Sequence, residues 1–329
     1  MVRGRVQPPH LVAGVDVGGT KILGRVLAPG DENATLAELR VETPRGSEQI
    51  ATAVVDAVQQ LNGDREVAAA GGVSAVGVGV PGLVDRNGTL RFAPNLPGVV
   101  EYPVQETLTQ RLGIPVVVDN DANCATWCEF RMGAASDSHD AVLVTLGTGI
   151  GAGIVTNGRL HRGAHGFAGE PGHMQIDPNG PPCPCGRRGC WERFASGSGL
   201  GRLARDAAAA GRASRVVALA GGDPESVRGE HVTRAALDGD AEARAILRDF
   251  GWWFGVGIAN LVNILDPDVV VVGGGLAQAG DLFLVPAREA FANLVFATDH
   301  RPEVPIVAAA FGAEAGAIGA ALLARDQLD

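Results

Sequence analysis

Leu11–Leu27 reads LVAGVDVGGTKILGRVL, and Ala141–Asn157, about 130 residues further on, reads AVLVTLGTGIGAGIVTN. Each stretch is an apolar strand, a turn rich in Gly and Thr, then a second apolar strand spaced by Gly. The pattern predicts two β-hairpins whose turns bring bare backbone close to a ligand. Successive exposed N–H groups in such a turn form a concave anion site. One glycine-rich hairpin is common as plain structure. Two, one in each half of the chain, predict a duplicated α/β domain that holds phosphate in the cleft between.

Between and beyond the hairpins, strands and helices alternate. Glu48–Asn62 reads as an amphipathic helix, Val73–Val80 as a buried strand, Val104–Leu112 as a helix and Pro115–Asp119 as a short strand. NDANCATWCEFRMG follows as a helix. Gly199–Gly211 and Val232–Leu265 look helical, the latter holding WWFGVGIANLVNIL, apolar almost all round and therefore buried. DPDVVVVGGG is a buried strand ending in Gly273–Gly275, and AAFGAEAGAIGAALLAR is a C-terminal helix with small residues on one face. This alternation implies largely parallel sheets. The expected domains are residues 1–119 with the returning segment 312–329, and residues 120–311.

The chain has 329 residues, 46% hydrophobic and 19% charged, with net charge −10. That is enough chain for two domains with a sizeable core. The acidic balance opposes nucleic-acid binding, which needs basic surface, and opposes anionic membranes. The opening MVRGRVQPPH is polar, the apolar runs are broken by Gly, Asp or Pro, and neither a signal peptide nor a membrane span is expected. Five cysteines, three of them clustered, fit a reducing cytoplasm.

The cluster is Cys183, Cys185 and Cys190, with His173 ten residues upstream. Three thiolates and an imidazole form a complete tetrahedral set for Zn²⁺, and a filled set leaves no water to activate, so such a site is structural. The alternative is a redox or disulfide cluster. Glu170 and Glu192 flank the ligands and would aim carboxylates at a polar ligand; alternatively they pair with Arg187, Arg188 or Arg193. Asp16 ends the first strand, two residues before Gly18-Gly19-Thr20-Lys21, and Lys21 is the only lysine. An acid beside a phosphate loop serves a divalent cation such as Mg²⁺, unless it merely caps Thr20. Asn120 and Asp121 stand at the carboxyl end of a strand, where ligands of α/β sheets bind. Asp121 is either a helix N-cap or a general base for a hydroxyl that Asn120 orients. Cys124 and Cys128, one helical turn apart, read as small buried hydrophobes.

DVGGTK, PGLVD, NLPG, NDAN, LGTGIG, GExGH, CxCGxxGCxE and a final GGG occur in that order. In this the chain resembles the ROK family of sugar kinases and sugar-responsive repressors, and within it the bacterial glucokinases, from about Val12 to Ala324. The resemblance implies an actin-like, hexokinase-like (ribonuclease H-like) fold and ATP-dependent phosphorylation of glucose. It implies Asp121 as base, and Gly82, Asn95, Asn120, Glu170, His173 and Glu192 around the sugar. Nucleotide phosphates would lie on Gly18, Gly19, Thr20 and Lys21 and on Thr148 and Gly149, with Gly274 and Gly275 near the nucleoside and Asp16 serving Mg²⁺. His173, Cys183, Cys185 and Cys190 match the zinc ligands, and Ala152 replaces a glycine common in relatives. With one His173 nitrogen on zinc, the other keeps a proton for a sugar hydroxyl, and a site that reads hydroxyls discriminates well. A homodimer or homotetramer is implied. The rivals are a kinase for N-acetylglucosamine, N-acetylmannosamine or fructose, polyphosphate as donor, a repressor with an added N-terminal helix-turn-helix, and a zinc hydrolase, which a filled coordination sphere opposes.

Overall fold

The computed structural model describes residues 10–28 and 31–328; the polar opening, residues 1–9, lies outside them. The chain forms two compact units. One comprises the chain up to Ser136, Leu160–Ala168 and the chain from Ala313 onward; the other comprises Asp137–Arg159 and Gly169–Gly312.

The first unit contains β1 (Leu11–Val17), β2 (Lys21–Ala28), β3 (Asp31–Glu42), α1 (Ser47–Asn62), α2 (Arg65–Ala69) and β4 (Val73–Val80). It continues through β5 (Leu83–Val84), β6 (Leu90–Phe92), β7 (Val100–Tyr102), α3 (Val104–Leu112), β8 (Val116–Asn120) and α4 (Asp121–Met132). Its main sheet has the order β3-β2-β1-β4-β8. β1 and β2 are the expected antiparallel hairpin, and β1, β4 and β8 run parallel.

The second unit contains β9 (Ala141–Leu146), β10 (Ile150–Thr156), β11 (Arg159–Leu160) at its edge, α5 (Glu192–Ala195), α6 (Gly197–Ala209) and α7 (Ser214–Leu219). α8 (Gly229–Leu237), α9 (Ala241–Leu265), β12 (Val269–Gly273), α10 (Asp281–Leu294) and β13 (Ile306–Ala308) complete it. Its sheet order is β11-β10-β9-β12-β13, again an antiparallel hairpin followed by parallel strands. Strand for strand, the two sheets repeat one plan, as the paired hairpin sequences require.

Some expectations are corrected. Val232–Leu265 is not one helix: α8 stops at Leu237, Gly239 turns with φ +94°, and the Asp240 side chain caps α9 by accepting from the Ala243 N–H at 2.7 Å. The first compact unit runs to Ser136 and so includes Asn120, Asp121 and α4, and it also takes up residues 160–168. No helix among the described residues is long and apolar enough to cross a membrane.

The last helix, α11 (Ala315–Arg325), explains that boundary. It packs against β1, β4 and α4. Gly14 on β1 and Gly77 on β4 are register partners, which leaves a bare patch on the sheet. A Cβ on Gly14 would stand 1.8 Å from the Ala317 carbonyl oxygen, and one on Gly77 would stand 1.7 Å from that of Ala320. On the other side, a Cβ on Gly319 would stand 1.7 Å from the Cys124 carbonyl oxygen in α4. The helix is therefore seated backbone to backbone, which holds α4 in the first unit. Gly77→Ala has to displace α11 and should lower stability by about 2–4 kcal/mol. Gly63→Ala, whose added carbon would meet nothing nearer than 3.5 Å, should stay close to wild type. Equal melting temperatures for the two variants would refute this account of the seat.

Candidate active site

In the first unit the end of β1, the turn after it and the start of α4 assemble a set of polar groups. The turn Gly18–Lys21 is held by its carbonyls: Gly18 O accepts from Thr43 Oγ1 at 2.7 Å, and Thr20 O accepts from the Thr43 N–H at 3.1 Å. Asn95 lies beside this turn, since a Cβ on Gly19 would stand 3.2 Å from the Asn95 carbonyl oxygen. Asp16 sits at the amino end of α11, where a Cβ on Gly316 would be 2.7 Å from its carboxyl carbon. Among the described hydrogen bonds, Thr20 does not donate to Asp16.

The helix cap is Asn120, not Asp121. Asn120 Oδ1 accepts from the N–H groups of Ala122 at 2.8 Å and Asn123 at 3.1 Å, and its Nδ2 donates to Gly82 O at 3.1 Å. With the cap supplied, Asp121 is the first helical residue, and its Oδ1 accepts from the Ala122 N–H at 2.9 Å. Burial pushes the Asp121 carboxyl up, against the lowering effect of the Ala122 N–H, its own N–H and the Asn120 side chain. Asp16 is pushed up to about 7 by burial and then by the charge of Asp121, with Lys21 opposing. The unit thus joins Asp16, Gly18–Lys21, Gly82, Asn95, Asn120 and Asp121 around two interacting carboxylates. Cys124 and Cys128 are buried and in no disulfide, as expected.

In the second unit, ligand atoms of His173, Cys183, Cys185 and Cys190 all lie within 4.8 Å of one another. Cys185 Sγ is 3.6 Å from Cys190 Sγ, and Cys183 Sγ is 3.9 Å from His173 Nδ1. A tetrahedral Zn²⁺ with bonds of about 2.0–2.3 Å has ligand–ligand edges of about 3.3–3.8 Å, so the donors fit a metal in chemistry, and the Cys185–Cys190 and Cys183–His173 separations come close to such edges. None of the cysteines forms a disulfide, so none closes the cluster. The Nδ1 atom of His173 is the one on the cluster side, which leaves Nε2 for another partner.

Glu192 opens α5, with Oε1 3.2 Å from Cys183 Sγ and 3.8 Å from His173 Nδ1. Its other oxygen lies against the second glycine turn: a Cβ on Gly149 would stand 2.6 Å from Oε2. Among the described ion pairs, Glu192 meets His173 and not Arg187, Arg188 or Arg193. Glu170 precedes the 3-10 turn Pro171–His173, and its carbonyl accepts from the His173 N–H at 3.1 Å. The turn around Thr148 is also held by carbonyls, Gly147 O accepting from the Gly197 N–H at 2.8 Å and Thr148 O from that of Ser198 at 3.3 Å. Gly274 closes over Leu146, where a Cβ would meet backbone at 2.5 Å, and the space beside Gly275 is open. Thr148, Gly149, Gly274, Glu170, His173 and Glu192 therefore gather around the Cys/His cluster and the end of β9.

Sequence reasoning passed over Asp119, Asn123 and Arg162, which brace the start of α4, and Gly316, which admits Asp16. Asp119 was visible as the acid closing PVVVD. Arg162 lies outside any strand or helix pattern.

The two repeated sheets with hairpin turns, and the chemistry at their ends, define the actin-like, hexokinase-like class of phosphotransferase folds. The family model described as ROK family matches residues 12–327, and the chain belongs to the ROK family. It is 40% identical over 319 residues to a glucokinase of Streptomyces coelicolor, covering 96% of this chain and 98% of that one. A ROK family glucokinase from Streptomyces griseus, solved in complex with glucose and AMPPNP, is similar with TM-score 0.84 and 40% identity over 96% of this chain and 99% of that one. A ROK hexokinase from Thermus thermophilus is similar with TM-score 0.80 and 36% identity, over 97% of this chain and 99% of that one.

Asp16 yields a pH prediction. Folded, it holds its proton to about 7, against an ordinary value of 3.8. The folded state binds more protons than the unfolded state between those limits. The stability this contributes is complete below pH 4 and is lost as pH rises through 7. In ligand-free protein without divalent metal, Asp16→Asn should be more stable than wild type at pH 8, by at most about 4 kcal/mol, and close to it at pH 4. A shift in melting temperature that is the same at both pH values would show that Asp16 is not buried as a charge.

Proposed function

We propose that this chain is a glucokinase that transfers the γ-phosphoryl group of ATP to O6 of glucose. As O6 bonds to phosphorus, the bond from phosphorus to the ADP oxygen breaks, ADP leaves, and the O6 proton passes to Asp121. Phosphoryl transfer asks the protein for alignment, charge neutralisation and one proton acceptor. What carries this reading is Asp121: a half-buried carboxylate of raised proton affinity in the first turn of α4, near enough to Asp16 for the two to interact.

In this reading Asn95, Asn120 and Gly82 border the sugar. Glu170 and Glu192 accept from its hydroxyls, and His173 donates from Nε2. Gly18, Gly19, Thr20, Lys21, Thr148 and Gly149 take the phosphates, with Gly274 and Gly275 at the nucleoside. Asp16 would serve Mg²⁺, which offsets phosphate charge. His173, Cys183, Cys185 and Cys190 would hold Zn²⁺, whose part is to fix the loop and the His173 tautomer. We read the enzyme as a cytoplasmic homo-oligomer, dimer or tetramer, following the family resemblance.

The test is a coupled ADP-release assay over glucose, N-acetylglucosamine, N-acetylmannosamine and fructose, with ATP and polyphosphate as donors. Glucose with ATP should give the highest kcat/KM. Asp121→Asn should lower kcat by about 10²–10⁴-fold while calorimetric glucose binding persists. A preference for another sugar overturns the substrate, and near-normal turnover of the variant overturns the base. Removing the metal should act on the sugar side: Cys185→Ser should lose bound zinc and raise the KM for glucose. An unchanged KM in zinc-free protein would refute the aiming role of the loop.

A further inference from the structure

We propose that Arg162 and Asp119 form a positioning pair for Asp121, so that the segment leading into Glu170 and His173 also sets the placement of the base. The inference rests on the role of Asp121 proposed above. Asp119 is 5% exposed, and a buried carboxylate is tolerated only when it is paired and hydrogen-bonded. Its partners are directional. Oδ2 accepts from Arg162 Nε at 2.6 Å. Oδ1 accepts from Asn123 Nδ2 at 2.8 Å and from the Asn120 N–H at 2.8 Å.

Asn120 is the cap of α4 and Asn123 lies in its first turn. One carboxylate therefore holds both sides of the turn that presents Asp121. Arg162 belongs to neither the sheet nor a helix. It stands on Leu160–Ala168, which Arg86 also fastens to the first unit by donating through Nε to the carbonyls of Gly163 at 3.0 Å and Ala164 at 3.1 Å. The chain that continues from this segment carries Glu170 and then His173.

Asp121 acts on Asp16 of β1, which Lys21 of β2 also faces, and it shares with Asp16, with Asp119 of β8 and with Arg162 of the segment an influence on Cys124 in its own helix. The Cys124 thiol senses Asp119, Asp16, Asp121 and Arg162 together, so these groups share one neighbourhood. Without Arg162, Asp119 becomes an unbalanced negative charge there. A like charge nearby makes a carboxylate harder to ionise. A merely structural ion pair would lower stability and leave the ionisation of the base where it was.

The experiment compares wild type, Arg162→Met, Arg162→Lys and the double variant Asp119→Asn with Arg162→Met, which leaves no unpaired charge and guards against misfolding of the single variant. Two readouts are taken: pH profiles of kcat/KM by ADP release with glucose and ATP, and the ¹³C titration of the Asp121 carboxyl, assigned through Asp121→Asn. Arg162→Met should lower kcat by at least about tenfold and move the acid limb and the Asp121 titration to higher pH, with calorimetric glucose affinity little changed. Arg162→Lys should recover part of kcat, and the double variant should return the titration towards wild type. An Asp121 titration in Arg162→Met that matches wild type overturns the pair, as does a kcat loss that follows melting temperature alone across the variants. Wild-type protein without sugar-kinase turnover would instead refute the function, while the Asp121 titration would still decide the pair.

Discussion

The carbonyl oxygens of Ala317 and Ala320 occupy the space where Gly14 and Gly77 lack side chains, and the first unit's chemistry depends on that contact. Dispersion falls off steeply with distance, so a helix lying flush on a sheet packs more tightly than one held off by methyl groups. The close seat brings Gly316 onto Asp16 at the end of β1 and Gly319 onto Cys124 in α4. One helix, contributed by the far end of the chain, thereby fixes both a carboxylate after the first strand and the helix that carries Asp121.

The second unit fixes its acids by another route. Cys190, Trp191 and Glu192 are consecutive: a member of the Cys/His cluster, an anchor and an acid. Trp191 is fully buried, donates from Nε1 to the Trp253 carbonyl at 3.0 Å and stacks on Phe254 with centroids 5.5 Å apart. That anchor stops the backbone between Cys190 and Glu192 from rotating. Glu192 then spans from the Cys183 thiol to the bare backbone of Gly149. The gap at Gly149 serves this carboxylate, so a glycine that reads from sequence as a phosphate contact also makes room on the acid's side.

Much of this was legible in sequence because it is local. Hairpin turns, the His173–Cys190 spacing and an Asp after a β-strand depend on residues close along the chain, and their chemistry follows from residue type. The Asn120 cap was missed in favour of Asp121 because two adjacent side chains can both cap, and only geometry shows which one accepts the N–H groups. The break between α8 and α9 was hidden by apolar residues on both sides of Asp238-Gly239-Asp240, although Gly239 itself was a signal. The pairing of Arg162 with Asp119 could not be read, since it joins residues 43 positions apart with no periodicity to connect them. The packing of α4 is non-local in the same way: its partner is α11, nearly two hundred residues later.

The same packing that stabilises the first unit makes its acids costly. Asp16 and Asp121 are pushed towards their protonated forms chiefly by burial, and Asp16 further by the charge of Asp121. A looser helix, held away by side chains at positions 14 and 77, would admit water at Asp16, against which Gly316 lies, and return that carboxyl towards its ordinary value. It would then be cheaper to bury and a weaker base. At Asp121 too, burial outweighs the immediate neighbours, whose N–H groups act to lower its proton affinity. At Asp16 stability and proton affinity are tied to one contact, and a change that relaxes the glycine seat must reduce both.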